Sequence, residues 1–313
     1  MVAATRKSSE VDLSLPAFSR ASPLVKLVQT EKTGEFEYER YSFDSVVKGA
    51  SSYCGRVFLP EADGTEPAAN SAGRTVIYLI HGAIGGDYLP IQMNSFQDFP
   101  PELVELCRSR RVEFVIPSVD QGFLREDSID NRKSMADYLI QEIFPLAEAS
   151  FEEPVAGRYI AGYSTGGFGA FSFFLRHPAL FDGVCAIMPV IFDVDIESDT
   201  SVKKYVTDSS ADLELVLPGI GMIRADFTDG ADFRKHHPID LLAATSSEGL
   251  AGKKIHLACG DADELGLIYS TRDLNQKLRQ KNIAHRYQEY PGVKHELRMV
   301  SIGLLDALPY ILE

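Results

Sequence analysis

Tyr159-Ile160-Ala161-Gly162-Tyr163-Ser164-Thr165-Gly166-Gly167-Phe168-Gly169-Ala170 places a G-x-S-x-G pentapeptide, residues 162–166, between two apolar runs of different period. Residues 158–161 read as the end of a short strand, and residues 165–176 as an apolar helix. A serine on a sharp strand-to-helix turn has its Oγ pushed into a cleft, where a neighbouring base can take its proton. The flanking glycines have a steric task, because side chains there would collide with the adjoining strand and helix. The expectation is a nucleophile at Ser164 in a chain of alternating strands and helices.

That alternation extends both ways from the pentapeptide. Upstream, residues 75–80 read as a continuous apolar strand, 101–109 as a helix and 112–116 as a strand. Met135, Tyr138, Leu139, Ile143 and Leu146 then form a helical stripe. Downstream come strands at 183–188, 254–259 and 285–290, a helix around Leu274 and Leu278, and a last helix with Leu297, Val300, Leu304 and Leu308 on one face. Strands separated by helices predict a mainly parallel sheet covered on both faces. Residues 35–43 and 51–59 read as a pair of strands ahead of it, and 61–74 as a polar loop. The expected organisation is an N-terminal extension, 1–34, whose first thirty residues form an extended lead-in, followed by one domain, 35–313. A long insertion at about 190–253, where a short connection would serve, reads as a lid over the cleft.

The 313 residues are 45% apolar, enough for a large core, and carry 45 acidic against 31 basic side chains, a formal net charge of −14. An acidic chain without a Lys/Arg cluster argues against a nucleic-acid or anionic-membrane partner. No apolar run reaches the roughly 18 residues of a membrane span. Arg6, Lys7, Glu10, Asp12 and Arg20 interrupt any secretory apolar region, and Cys54, Cys107, Cys185 and Cys259 form no C-x-x-C pair. A reduced cytoplasmic chain is the expectation, with a homo-oligomer left open.

A nucleophilic serine needs a base, and the base an orienting carboxylate, here in the chain order serine, acid, histidine. His295 fits the base: Pro291-Gly292-Val293-Lys294-His295 is a turn-rich loop between the last strand and last helix. The acid falls in Gly260-Asp261-Ala262-Asp263-Glu264-Leu265, with Asp263 favoured and Asp261 the alternative. The oxyanion of an acyl-transfer intermediate needs preset N–H donors. Thr165, after the serine, supplies one; Ala83, in His81-Gly82-Ala83-Ile84-Gly85-Gly86-Asp87, supplies the other. No metal or cofactor enters this chemistry.

From about residue 35 to the C-terminus the chain resembles the esterase-D-like branch of the α/β-hydrolases, which includes feruloyl and acetyl-xylan esterases, S-formylglutathione hydrolase, enterochelin esterases and mycolyltransferases. The resemblance rests on His81-Gly82, Ile143-Phe144-Pro145-Leu146, residues 161–170, His177-Pro178 with Phe181, and residues 290–295. It implies the α/β-hydrolase fold, Ser164, Asp263 and His295 as a triad, and hydrolysis of an acyl ester. Relatives carry a polar-Pro pair before their penultimate strand, which makes His237, ahead of Pro238, a substrate contact together with Gly82 and Tyr163. Thr165 stands where many relatives carry methionine, and Lys294-His295-Glu296 replaces their common Gly-His-aromatic.

Lesser signals lead elsewhere. Asp193, Asp195, Glu197 and Asp199 alternate as in a calcium loop but lack its glycine and its final bidentate Glu, so they read as a solvated acidic loop. His295-Glu296-Leu297-Arg298-Met299 begins like a zinc-peptidase motif and fails at Met299. The expected partner is a small-molecule ester, neutral or hydrophobic given the acidic chain. Acyl transfer or thioester cleavage on the same residues is the alternative activity. A catalytically silent binding protein on this scaffold would be expected to have lost one of the three side chains, and none is missing.

Overall fold

The computed structural model describes residues 24–60, 73–84, 86–126, 134–151 and 154–313. The polar loop at 61–74 and the N-terminal lead-in therefore lie mostly outside the described residues, as does Gly85. The described strands are β1 (Val25–Thr33), β2 (Phe36–Ser45), β3 (Ala50–Phe58), β4 (Arg74–Ile80), β5 (Val112–Pro117), β6 (Val155–Tyr163), β7 (Gly183–Ile187), β8 (Lys254–Gly260) and β9 (Arg286–Tyr290). They form one nine-stranded sheet in the order β1-β2-β3-β5-β4-β6-β7-β8-β9. The first three strands join antiparallel, and everything from β5 to β9 is parallel.

The helices are α1 (Leu89–Gln92), α2 (Pro101–Ser109), α3 (Met135–Tyr138), α4 (Phe144–Glu148), α5 (Thr165–Arg176), α6 (Asp199–Ser209), α7 (Leu213–Asp226), α8 (Gly230–His236), α9 (Pro238–Ala244), α10 (Leu267–Gln280) and α11 (Arg298–Leu312). A π turn, Leu139–Ile143, joins α3 to α4. Pro145 has no N–H, and its ring would crowd the carbonyl four residues back. The wider turn, in which Phe144 N–H reaches back to the Leu139 carbonyl, relaxes that conflict. α2 packs with α11 on one face of the sheet, while α5, α9 and α10 pack on the other.

Between those layers the central strands are apolar along their length, as strands buried on both faces must be. Tyr78, Ile160, Val184 and Ile255 lie in one cross-strand row, all fully buried. The parallel register brings the carboxyl ends of β4, β6, β8 and β9 to one edge, where open α/β sheets bind ligands. The segment between β7 and β8 folds into α6–α9. β1 begins at Val25, within the stretch read as lead-in, and pairs with β2 from Val25↔Phe43 to Thr33↔Phe36. Among the described residues no helix is long and apolar enough to cross a membrane.

Candidate active site

Ser164 occupies the turn between β6 and α5 with φ 56° and ψ −127°. A residue with a Cβ is strained there and persists only where its surroundings over-determine it. They do: the Ser164 N–H donates to the Ile187 carbonyl at 3.0 Å, and the Ser164 carbonyl accepts from Gly167 (3.0 Å), Phe168 (3.2 Å) and Val190 (3.0 Å). The glycines make the turn sterically feasible. A Cβ on Gly162 would lie 2.1 Å from the Gly166 carbonyl oxygen, and one on Gly166 would lie 2.3 Å from the carbonyl oxygens of Ile80 and His81.

Ser164 Oγ lies 3.1 Å from His295 Nε2, and His295 Nδ1 lies 2.8 Å from Asp263 Oδ2. Three side chains from the ends of β6, β8 and β9 thus meet in one line of hydrogen bonds, with the Asp263 carboxylate buried and the imidazole 19% exposed. Asp263 Oδ1 takes the Leu265 N–H at 2.9 Å, which fixes the carboxylate plane, and the Cys259 thiol approaches Oδ2 at 4.0 Å. Asp261 points elsewhere and accepts the Gly292 N–H at 2.7 Å on the exposed side of the loop. Glu264, read from sequence only as a third carboxylate, accepts the backbone N–H of His295 at 3.0 Å and pairs with Lys294 Nζ at 2.7 Å.

The loop after β4 lies directly against the serine. A Cβ on Gly82 would come within 3.1 Å of Ser164 Cβ. His81, buried, faces the Gly82 carbonyl with Nδ1 at 2.6 Å and accepts the Val119 N–H on Nε2 at 3.0 Å. An Nε2 that accepts leaves the ring proton on Nδ1, so the neutral ring donates to Gly82; burial lowers the His81 pKa in keeping with this. The C=O and N–H of a trans peptide point in opposite directions. Holding the Gly82 carbonyl therefore aims the Ala83 N–H away from His81. The first helical amides of α5, Thr165 among them, have no intrahelical acceptor.

Two ion pairs, one from an antiparallel strand and one from the turn between β2 and β3, brace this side. Arg40 on β2 grips the buried Asp87 with Nε at 2.7 Å and Nη2 at 3.0 Å. Lys48 reaches Asp120 at 3.3 Å and the Ser118 carbonyl at 3.1 Å, in the loop after β5. Neither pair shows in the sequence, because the partners lie far apart and the charges stand alone.

Of the expected substrate contacts, Gly82 adjoins Ser164, and Tyr163 is buried with its ring against Gly82. His237 caps the start of α9, wholly buried, edge-on to Phe168 and Phe233. Burial and the Arg234 charge lower its pKa to about 4, so the ring is neutral. In the acidic run, Asp193 pairs with Arg234, Asp199 with Arg224, and Glu197 accepts the Gly230 N–H.

Residues 115–301 match a family model described as "Putative esterase". An acetyl esterase of Caldicellulosiruptor saccharolyticus is 23% identical over 225 residues, which are 71% of this chain and 78% of that one. A solved ferulic acid esterase is similar at TM-score 0.65 and 16% identity, over 89% of this chain and 98% of its own. S-formylglutathione hydrolase from Agrobacterium tumefaciens gives TM-score 0.65 and 15% identity, over 91% and 98%. A fluorophosphonate-binding serine hydrolase of Staphylococcus aureus gives 0.63 and 15%, over 90% and 100%. Likeness at these identities shows a common fold, that of the α/β-hydrolases.

Proposed function

The chain belongs to the Putative esterase family, and from that premise we propose that it is a serine carboxylic-ester hydrolase working through an acyl-enzyme on Ser164. The observation that carries the reading is the unbroken line from Ser164 Oγ to His295 Nε2 and from His295 Nδ1 to Asp263 Oδ2, at 3.1 and 2.8 Å. His295 takes the Oγ proton as Oγ attacks the ester carbonyl carbon, and Asp263 keeps the other ring proton on Nδ1 and stabilises the imidazolium. The N–H groups of Ala83 and Thr165 receive the oxyanion, each worth roughly two to three powers of ten in rate. The imidazolium then protonates the departing alkoxide. In the second half His295 takes a proton from water, which attacks the acyl carbon and releases the acid, and the proton returns to Ser164.

Residues 190–253 act in this reading as a cap. The Asp212 N–H at the head of α7 bonds the Glu264 carbonyl at 2.7 Å, and Tyr205 OH on α6 bonds the Leu265 carbonyl at 2.8 Å, which sets those helices beside the acid-bearing loop. The substrate class is a neutral small ester, acetyl esters included. Supporting it are the similarity to an acetyl esterase and the net charge of −14, which disfavours anionic substrates.

The test is labelling by a fluorophosphonate probe together with turnover of p-nitrophenyl acetate. Wild type is expected to label at Ser164 and to turn over. Ser164→Ala and His295→Ala are each expected to keep the fold and lose turnover by about four powers of ten or more. Near-wild-type activity in either variant would falsify the assignment.

A further inference from the structure

We propose that Glu264 is a positioning residue for the base, a carboxylate that fixes the backbone of His295 while its neighbour Asp263 fixes the ring. The proposal rests on the reading of His295 as base. His295 stands between β9 and α11, where no ladder or helical bond orients it. Its N–H goes instead to Glu264 Oε2 at 3.0 Å, and its Nδ1 to Asp263 Oδ2 at 2.8 Å. Two adjacent carboxylates therefore grip one residue at both ends of its side-chain torsions, leaving Nε2 directed at Ser164 Oγ.

Glu264 is itself held. Lys294 Nζ meets its other oxygen at 2.7 Å, and its carbonyl accepts the Asp212 N–H from the cap. Burial opposes ionisation of Glu264, but the Lys294 ammonium and the His295 N–H outweigh it and hold the carboxyl below its usual range. The charges around His295 are Asp263 and Glu264 from the loop after β8, and Lys294 and Glu296 from its own loop, with Glu296 paired to Arg298. Lys294 thus offsets the second carboxylate, and the contribution of Glu264 is geometry. Lys294, the partner of Glu264, stands at the glycine position of the Gly-His-aromatic pattern from which the chain departs.

The experiment compares kcat and KM for p-nitrophenyl acetate, fluorophosphonate labelling rate and Tm in Glu264→Ala and Glu264→Gln. In Glu264→Ala kcat and labelling rate should fall about ten- to a hundredfold, the scale expected for a displacement of about 1 Å. KM should stay within about twofold, as for an interaction that holds the chemistry rather than the ligand. Glu264→Gln keeps an oxygen that can accept the His295 N–H, and should retain kcat within about fivefold. Should Glu264→Ala fail to fold, Glu264→Asp, one methylene too short to reach that N–H, replaces it with the same expectation. A wild-type kcat in Glu264→Ala, or a fall in Glu264→Gln as deep as in Glu264→Ala, overturns the proposal. His295→Ala separates the two readings: activity surviving there sinks the base itself, whereas an inactive His295→Ala beside a fully active Glu264→Ala sinks only the role of Glu264.

Discussion

At the scale of single residues, what decides function is which of several similar side chains faces the reaction. Asp261 and Asp263 differ by two positions and by everything else: one carboxylate holds an exposed loop through Gly292, while the other lies buried against His295 Nδ1. Asp263→Asn would leave the imidazole in the wrong tautomer and should lower kcat by about four powers of ten. Asp261→Asn keeps an acceptor for Gly292 and should change kcat by less than about threefold; steady-state kinetics on both variants would expose a reversed assignment. Ser164 and His295 were legible because each announces itself locally, one by its glycines and the other by the turn-rich loop between strand and helix. Glu264 and the ring of His81 were not, since their roles consist of bonds to backbone groups that the chain brings near only on folding. Cys185, His256 and Asp306 show the opposite hazard. They line up as a thiol, an imidazole and a carboxylate, with Sγ to Nδ1 at 3.6 Å and Nε2 to Oδ2 at 2.8 Å. Yet Cys185 is buried between strands, and burial drives its thiol pKa far up, so it is an inert core residue.

At the scale of elements, the elbow is a close-packed joint. Gly166→Ala would press a methyl against the Ile80 and His81 carbonyls at 2.3 Å, and overpacking of this kind costs about 1–3 kcal/mol, with backbone on both sides unable to yield. Thermal unfolding should show Tm several degrees lower, and an unchanged Tm would contradict the packing described. Helices α2 and α5 were readable to the residue from apolar period and flanking signals, and the core strands to within a few residues of their ends. β1 was not, for a physical reason. It is an edge strand whose apolar alternation is broken by a register shift between Leu27 and Gln29 and by the polar Gln29 and Glu31 on the inward face. Lys26 and Lys32 face outward as the charges that keep such an edge from pairing with another chain. The π turn before Pro145 was equally hidden, because a helical stripe reads the same whether one turn is wide or regular.

At the scale of the whole molecule, β8, β9 and α11 are tied by Asp306, which meets His256 on β8 at 2.8 Å and pairs with Arg286 on β9. The hydrogen bond to His256 lowers the Asp306 pKa, with burial opposing and the charges of His256 and Arg286 assisting. A carboxyl depressed in the folded state contributes stability that is complete above its unfolded value, about 3.9, and is lost as pH falls through the folded one. Urea midpoints should therefore drop as pH falls below about 4, and Asp306→Asn should flatten that part of the curve. An identical acid limb in the variant would refute the linkage.

Arg40 and Lys48 lie on or just beyond the antiparallel strands, yet their partners Asp87 and Asp120 belong to the loops after β4 and β5. Residues 40–48 thus brace the loops beside the proposed site without supplying one of its reacting groups. On the proposed mechanism, anyone transplanting the serine, acid and histidine segments onto a shorter scaffold would carry over the attacking half and leave behind the scaffolding of the proposed anion-receiving half, encoded well over a hundred residues upstream of Ser164.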